Sequence, residues 1–141
     1  MAFLLDTNVL SELRKGHNID PKVETWQRLC ATSDQWISVI SLIEVQIGVR
    51  RALRHDPVFA KVLDDWYQST LLAAYQNRTL RVDVQIVEKR AEYESLRSLN
   101  YSDALIAATA HVNHMALVTR NTKDFHDLGI DLINPWEHPL D

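Results

Sequence analysis

The 141-residue sequence is poor in the residues that loosen or staple a chain, with three Gly, four Pro and one Cys. So few glycines and prolines leave little material for long flexible linkers, and no repeat or low-complexity stretch breaks the chain. The lone Cys30 has no partner for an internal disulfide, which points to a reducing, cytoplasmic setting. It sits in Trp26-Gln27-Arg28-Leu29-Cys30-Ala31 and reads as a small apolar residue of a half-buried helix. Long hydrophobic runs are missing too. Met1-Ala2-Phe3-Leu4-Leu5 meets Asp6 before a signal-peptide core could form, and no other run approaches membrane-spanning length. There is no excess of positive charge either: the formal net charge of −4 argues against a protein that coats DNA by itself. Nor does the chain carry the phosphate-cradling GxxxxGKS/T, the dinucleotide GxGxxG or the GxSxG nucleophile elbow. What remains is an ordinary globular composition, 46% hydrophobic and 24% charged, of a length suited to one domain spanning 1–141.

Within that domain short apolar runs alternate with helical periodicity. Phe3-Leu4-Leu5 reads as a buried strand, Asp6-Thr7-Asn8 as a turn, and Val9, Leu10 and Leu13 as one face of a helix. Pro21 to Thr32 predicts a helix, Trp36 to Ile40 a second strand, and Ser41 the cap of the next helix, with Glu44 three residues on in capping-box spacing. That helix runs towards Arg54, and Asp56-Pro57 opens another that stays apolar around much of its circumference from Trp66 to Tyr75. Leu80 to Val82 predicts a third strand and Val84 to Leu99 an amphipathic helix. Ser102 is expected to cap a helix from Asp103 to His114, and Ala116 to Thr119 predicts the fourth strand. A helical turn over Asn121 to Leu128 and a fifth strand over Ile130 to Ile133 close the chain. Such alternation calls for a mainly parallel sheet of four or five strands, covered by helices on both faces.

In open sheets of this kind, functional groups gather where strands hand over to helices. Asp6 stands there after the first strand, Glu44 after the second and Asp124 after the fourth. Asp103 follows no obvious strand but opens a helix. Each acid alone suits a helix cap. Asp6 suits that role least, because it follows a buried run where an unpaired charge is costly. Four converging acids would repel one another unless a cation intervened, and all-oxygen ligands select Mg²⁺, with Mn²⁺ as substitute, over zinc. His111 and His114 lie three apart without a third nitrogen or sulfur ligand in zinc spacing, and read as surface or dimer-face residues. A carboxylate-bound divalent ion suits phosphodiester cleavage. Asp6-Thr7-Asn8 is also similar to the start of the haloacid-dehalogenase-like phosphatases, which place a second Asp where Asn8 stands.

The acids and their surroundings resemble the PIN-domain ribonucleases, in particular the VapC toxins of bacterial toxin–antitoxin pairs. The resemblance is carried by Leu4-Leu5-Asp6-Thr7-Asn8-Val9-Leu10-Ser11-Glu12, Ile40-Ser41-Leu42-Ile43-Glu44-Val45, Asp103-Ala104-Leu105-Ile106-Ala107-Ala108-Thr109-Ala110, Leu117-Val118-Thr119-Arg120-Asn121-Thr122-Lys123-Asp124-Phe125 and Asn134-Pro135-Trp136. It implies a three-layer α/β/α PIN-like fold and a Mg²⁺- or Mn²⁺-dependent endoribonuclease. It also implies a homodimer, a VapB-like antitoxin laid across the active groove, and contact with DNA only through that antitoxin. Asp6 and Asp103 then match the principal metal ligands, with Glu44 and Asp124 completing the cluster. Thr119 and Asn121 match accessory polar neighbours. Tyr101-Ser102 before Asp103 departs from the lead-in of many relatives. A catalytically silent PIN-like binding module is the alternative from another class.

An RNA substrate would need positive charge beside the acids. Arg14 and Lys15, Arg50 with Arg51 and Arg54, and Arg120 with Lys123 are the candidates, and the Arg50 group could equally meet an acidic antitoxin segment. Trp26, Trp36, Trp66 and Trp136 are expected in the core or at an interface.

Overall fold

Leu4 and Leu5 point to opposite faces of one strand, and that alternation sets up two cores. The computed structural model describes residues 1–140. Its strands are β1 (Phe3–Leu5), β2 (Gln35–Ser38), β3 (Thr79–Leu80), β4 (Ala116–Val118) and β5 (Leu132–Ile133), in the spatial order β3-β2-β1-β4-β5. Every pairing is parallel, and Leu4 at the centre stands opposite both Trp36 and Leu117. Leu4 and Leu117 join Ile86, Tyr93, Ile106 and Phe125 on one face. Leu5, Ile37 and Val118 join Val9, Leu10, Trp26 and Leu71 on the other. Leu4, Leu5 and Leu117 are fully buried, and each such side chain contributes about 2–3 kcal/mol by leaving water. A parallel sheet with helices on both faces is the α/β/α layering expected.

The helices are α1 (Thr7–Leu13), α2 (Pro21–Leu29), α3 (Val39–Ala52), α4 (Pro57–Trp66), α5 (Leu72–Ala74), α6 (Val84–Tyr93) and α7 (Tyr101–Val112). A single π-helical turn, Tyr67–Leu71, joins α4 to α5. Asp6, Asp20, Ser38, Asp56, Asp83 and Asn100 cap six of the helices with side-chain acceptors on free N–H groups, the role short polar side chains fill best.

Several boundaries differ from expectation for local reasons. The cap of α3 is Ser38, not Ser41, so β2 ends before Val39 and Glu44 lies in the second helical turn. Asn100, not Ser102, caps α7, with Oδ1 accepting the Asp103 N–H at 3.0 Å. The second helix stops at Leu29 and leaves Cys30 extended and half-buried, while α6 stops at Tyr93 rather than Leu99. Between β4 and β5 only Thr122–Asp124 is helical, as one 3₁₀ turn. Among the described residues no helix is long and apolar enough to cross a membrane.

Glu12 is a buried acid whose role the sequence did not announce. Its oxygens accept from Lys15 Nζ and from the Asp20 N–H, each at 2.9 Å, which ties the end of α1 to the start of α2. Burial pushes the Glu12 carboxyl up, but the Lys15 and Asp20 bonds outweigh it and hold it below the usual range.

Candidate active site

All five strands run the same way, so β1 and β4 deliver the residues after them to one edge of the sheet. Asp6 leaves β1 there, its N–H bonded to the Val118 carbonyl at 2.9 Å. Its carboxylate is buried, and both oxygens are used. Oδ1 accepts the Thr7 N–H at 2.8 Å, and Oδ2 accepts the Thr119 hydroxyl at 2.7 Å. The expectation that Asp6 resists capping is therefore corrected: it caps α1 and still faces the other acids. No turn intervenes, because the helix starts at Thr7.

Thr7 and Asn8, given no role beyond the turn, are the struts of this edge. The Thr7 hydroxyl donates to Glu44 Oε1 at 2.7 Å, which uses its only proton, so the Ser41 hydroxyl 2.8 Å away donates to Thr7. Ser41 is thus a buried support inside α3 rather than its cap. The Asn8 amide reaches Asp6 Oδ2 at 3.5 Å and Thr119 Oγ1 at 3.3 Å, and the Asn121 N–H donates to Thr119 at 3.1 Å. Thr119 is fully buried and holds Asp6 from the β4 side. The Asn121 side chain is exposed, and its contribution here is made through its backbone.

Asp103, in the first turn of α7, completes the edge. Burial pushes its carboxyl up to about 6, and the charges of Asp6, Glu44 and Asp124 add to the shift. Burial likewise raises Asp6, against the Thr119 and Thr7 bonds that lower it, with the Glu44 charge adding to the rise. These couplings bring the four acids into one field, although Asp124 is exposed and the others are buried or half-buried. Among the described residues none of the four has an ion-pair partner. No three acidic, histidine or cysteine side chains among those residues already converge at ligating distance. The acids are near enough to repel and too far apart to clasp.

The basic candidates divide. Arg14 and Lys15 follow α1 and lie roughly 12 Å along its axis from Asp6. Arg14 stacks over Phe59, 5.3 Å from its centroid, and Lys15 pairs with Glu12. Arg120 and Lys123 sit on the segment that leaves β4 at the acidic edge, both exposed. Arg50, Arg51 and Arg54 rim a groove on α3. His111 is no ligand: its Nδ1 lies 3.0 Å from the buried Tyr93 hydroxyl, across the packed pair α6 and α7.

Comparison with known proteins agrees with this layout. The family model described as PIN domain matches residues 3–130. Plasmid stability protein StbB of Pseudomonas syringae pv. tomato is 31% identical, over 95% of this chain and 98% of its own. VapC ribonuclease Y4jK of Sinorhizobium fredii is 30% identical, over 95% of this chain and 97% of its own. Toxin FitB of Neisseria gonorrhoeae is 30% identical, over 94% and 97% respectively. The crystal structure of FitAcB from Neisseria gonorrhoeae superposes with a TM-score of 0.84 at 28% identity, over 96% of this chain and 99% of that one. With the acids at the carboxyl edge of a five-stranded parallel sheet and a family match along nearly its whole length, the chain belongs to the PIN-domain family and, within it, to the VapC-type toxins.

Proposed function

We propose that this chain is the toxin of a toxin–antitoxin pair and cuts RNA as a divalent-metal-dependent endoribonuclease at Asp6, Glu44, Asp103 and Asp124. The observation that carries the reading is the Asp103 carboxyl, pushed up to about 6 by burial and by the charges of Asp6, Glu44 and Asp124, in a group of acids with no cation of the described chain paired to them. An all-oxygen set with uncompensated charge fits Mg²⁺ or Mn²⁺, with Asp6 and Asp103 as principal ligands and Glu44 and Asp124 reaching the ion directly or through water. Bound there, the ion would supply positive charge against the phosphodiester and acidity to activate water. The Thr119 bond orients Asp6 and favours its ionised form against burial, and Thr7, itself held by Ser41, fixes one oxygen of Glu44. Asn8 occupies the place where an aspartate-nucleophile phosphatase needs its acid, and its amide is spent on Asp6 and Thr119, which disfavours that chemistry.

Partners belong to the same reading. A relative is named VapC ribonuclease, and similar solved structures include FitAB bound to a DNA fragment. Here a cavity of about 550 Å³ on α3, lined by Leu42, Ile43, Ile47 and Tyr67 and rimmed by Arg50, Arg51 and Arg54, suits an acidic amphipathic antitoxin segment. DNA contact would then come through the antitoxin. Exposed Val84, Val87 and Tyr101 on α6 and α7 supply an apolar face for a homodimer.

The test is purified, antitoxin-free protein with RNA and Mg²⁺ or Mn²⁺. Asp6→Asn and Asp103→Asn should each lower the cleavage rate at least about 100-fold while the far-ultraviolet spectrum is kept. Undiminished cleavage by either variant refutes the mechanism, and a wild type silent with both metals favours a non-catalytic binding module.

A further inference from the structure

Arg120 rests on an aromatic ring, as Arg14 does on Phe59, but it does so on the segment that leaves β4 at the acidic edge. It follows Thr119, whose hydroxyl bonds Asp6, and its own N–H donates to Asn8 Oδ1 at 3.3 Å. The backbone is therefore fixed at the end of β4, one peptide from the Thr119 that holds Asp6. Its guanidinium carbon lies 5.0 Å from the centroid of the Trp136 ring. No carboxylate of the described residues lies within ion-pair distance of it. Lys15 and Arg97, by contrast, are neutralised by Glu12 and Asp127.

Trp136 is a fixed platform. It follows β5, whose end lies at the same edge of the sheet, and its N–H donates to Asn134 Oδ1 at 3.0 Å. The indole packs against the core cluster of Leu5, Val9 and Trp26. The Asn134 amide in turn reaches the Arg120 carbonyl at 3.5 Å, so the two segments are joined twice. Stacking on an indole occupies the flat face of a guanidinium and leaves its edge donors for an anion. It also removes rotamer freedom before any ligand arrives, which lessens the entropy lost on binding.

We propose that Arg120, held on Trp136, binds a phosphate of the single-stranded RNA that the acidic edge cuts, and that Trp136 is its positioning residue. This rests on the ribonuclease reading of the acidic edge. A chain with a net charge of −4 and four acids at its site repels a polyanion. A pre-placed, unpaired guanidinium on the segment that leaves β4 at the same edge of the sheet supplies local attraction, and its fork of donors matches phosphate oxygens.

The experiment uses the full chain and a short fluorescent single-stranded RNA of mixed sequence. Binding is read by anisotropy in EDTA, so that no metal is needed, and cleavage kinetics are read with Mg²⁺. Arg120→Gln should raise Kd and KM roughly ten-fold, with a smaller change in kcat. The slope of log Kd against log salt should become shallower by about 0.7, the signature of one lost phosphate contact to a single strand. Trp136→Phe keeps a ring under the guanidinium and should stay near wild type. Trp136→Leu should weaken binding a few-fold with the salt slope unchanged, because the charge remains and only its placement is lost. Wild type that cleaves while Arg120→Gln shows the same Kd, KM and slope overturns the proposal. So does Arg120→Gln that leaves RNA binding untouched but weakens binding of poly-glutamate, which would assign the residue to an acidic protein partner. Equal losses for Trp136→Phe and Trp136→Leu overturn the positioning role. Wild type that neither binds nor cleaves RNA refutes the ribonuclease reading itself.

Discussion

Replacing Asp103 by Asn should abolish activity and make the metal-free protein more stable. The Asp103 carboxylate has no hydrogen-bond or ion-pair partner among the described residues, since the bond at this position is made by its N–H to Asn100. Asn therefore forfeits no protein contact. Burial first, and then Asp6, Glu44 and Asp124, lift the carboxyl from 3.8 to about 6. A two-unit rise corresponds to about 3 kcal/mol of destabilisation when the group is ionised. Partial exposure and screening reduce that to roughly 1–2 kcal/mol. In a chain of this length the gain should raise Tm by about 3–8 °C. The sign follows from linkage. A carboxyl whose pKa is higher in the folded state destabilises the fold above that pKa, and the penalty fades as pH falls from about 6 towards 3.8. Thermal melts followed by circular dichroism in EDTA should thus show the largest gap between variant and wild type near neutral pH. Near pH 5 (about the middle of the titration) the gap should have shrunk by about half. Adding Mg²⁺ should raise the Tm of the wild type more than that of the variant. A variant no more stable than wild type at neutral pH, or a gap that does not narrow with acid, would refute the electrostatic reasoning.

Two further substitutions probe the supports. Thr119→Val keeps the shape of a fully buried side chain but removes the bond to Asp6 and the acceptor of the Asn121 N–H. Stability should fall by about 1.5–3 kcal/mol in urea melts, and the acidic limb of the cleavage profile should move to higher pH as Asp6 becomes harder to ionise; an unmoved limb would show that Thr119 does not hold Asp6 charged. Tyr93→Phe removes the hydroxyl 3.0 Å from His111 Nδ1 and should cost about 1 kcal/mol above neutrality. Burial, with the Lys89 charge adding, holds the His111 imidazole below 6.5. Once acid protonates the ring, Nδ1–H can donate to the phenol oxygen instead, so the cost should persist at low pH with the bond reversed; no cost at any pH would mean that the pair does not bond.

What the sequence made legible was local. A short apolar run ending in Asp6, and Leu117-Val118-Thr119 leading to Asp124, announce strand ends through neighbours in the chain, and both fell where expected. Boundaries failed where two local signals competed. Val39 and Ile40 are β-branched and extend the strand pattern, yet Ser38 is as good a cap as Ser41, and packing of Ile40 against the core resolved the tie towards helix. Asp103 follows no strand, and it is the packing of α7 against α6, α3 and β4 that brings its first turn to the acidic edge. The bonds of Asn8 and Thr119 join positions 111 or more residues apart, beyond the reach of any periodicity. Lys15 was different. It looked like a free cation, although Glu12, three residues earlier near the end of α1, was the pairing signal.

The opposition between capping an N-terminus and building a site dissolves in the division of labour at this edge. Asp6 accepts the Thr119 hydroxyl and the Asn8 amide on Oδ2 but only the Thr7 N–H on Oδ1, and a carboxylate oxygen has a second lone pair, so Oδ1 keeps one free. At α7 the cap is Asn100, so the Asp103 carboxylate three residues on is left unclaimed. The helix does soften the crowding of charge, because the positive end of α7 favours Asp103 by about 0.3–1 kcal/mol. That is less than the roughly 1–2 kcal/mol by which burial and the three neighbouring acids disfavour its ionised form. Backbone dipoles therefore leave a remainder of repulsion that no described Lys or Arg offsets by pairing. On that remainder the metal reading stands, for a small divalent cation among oxygen ligands is the species that converts such repulsion into binding.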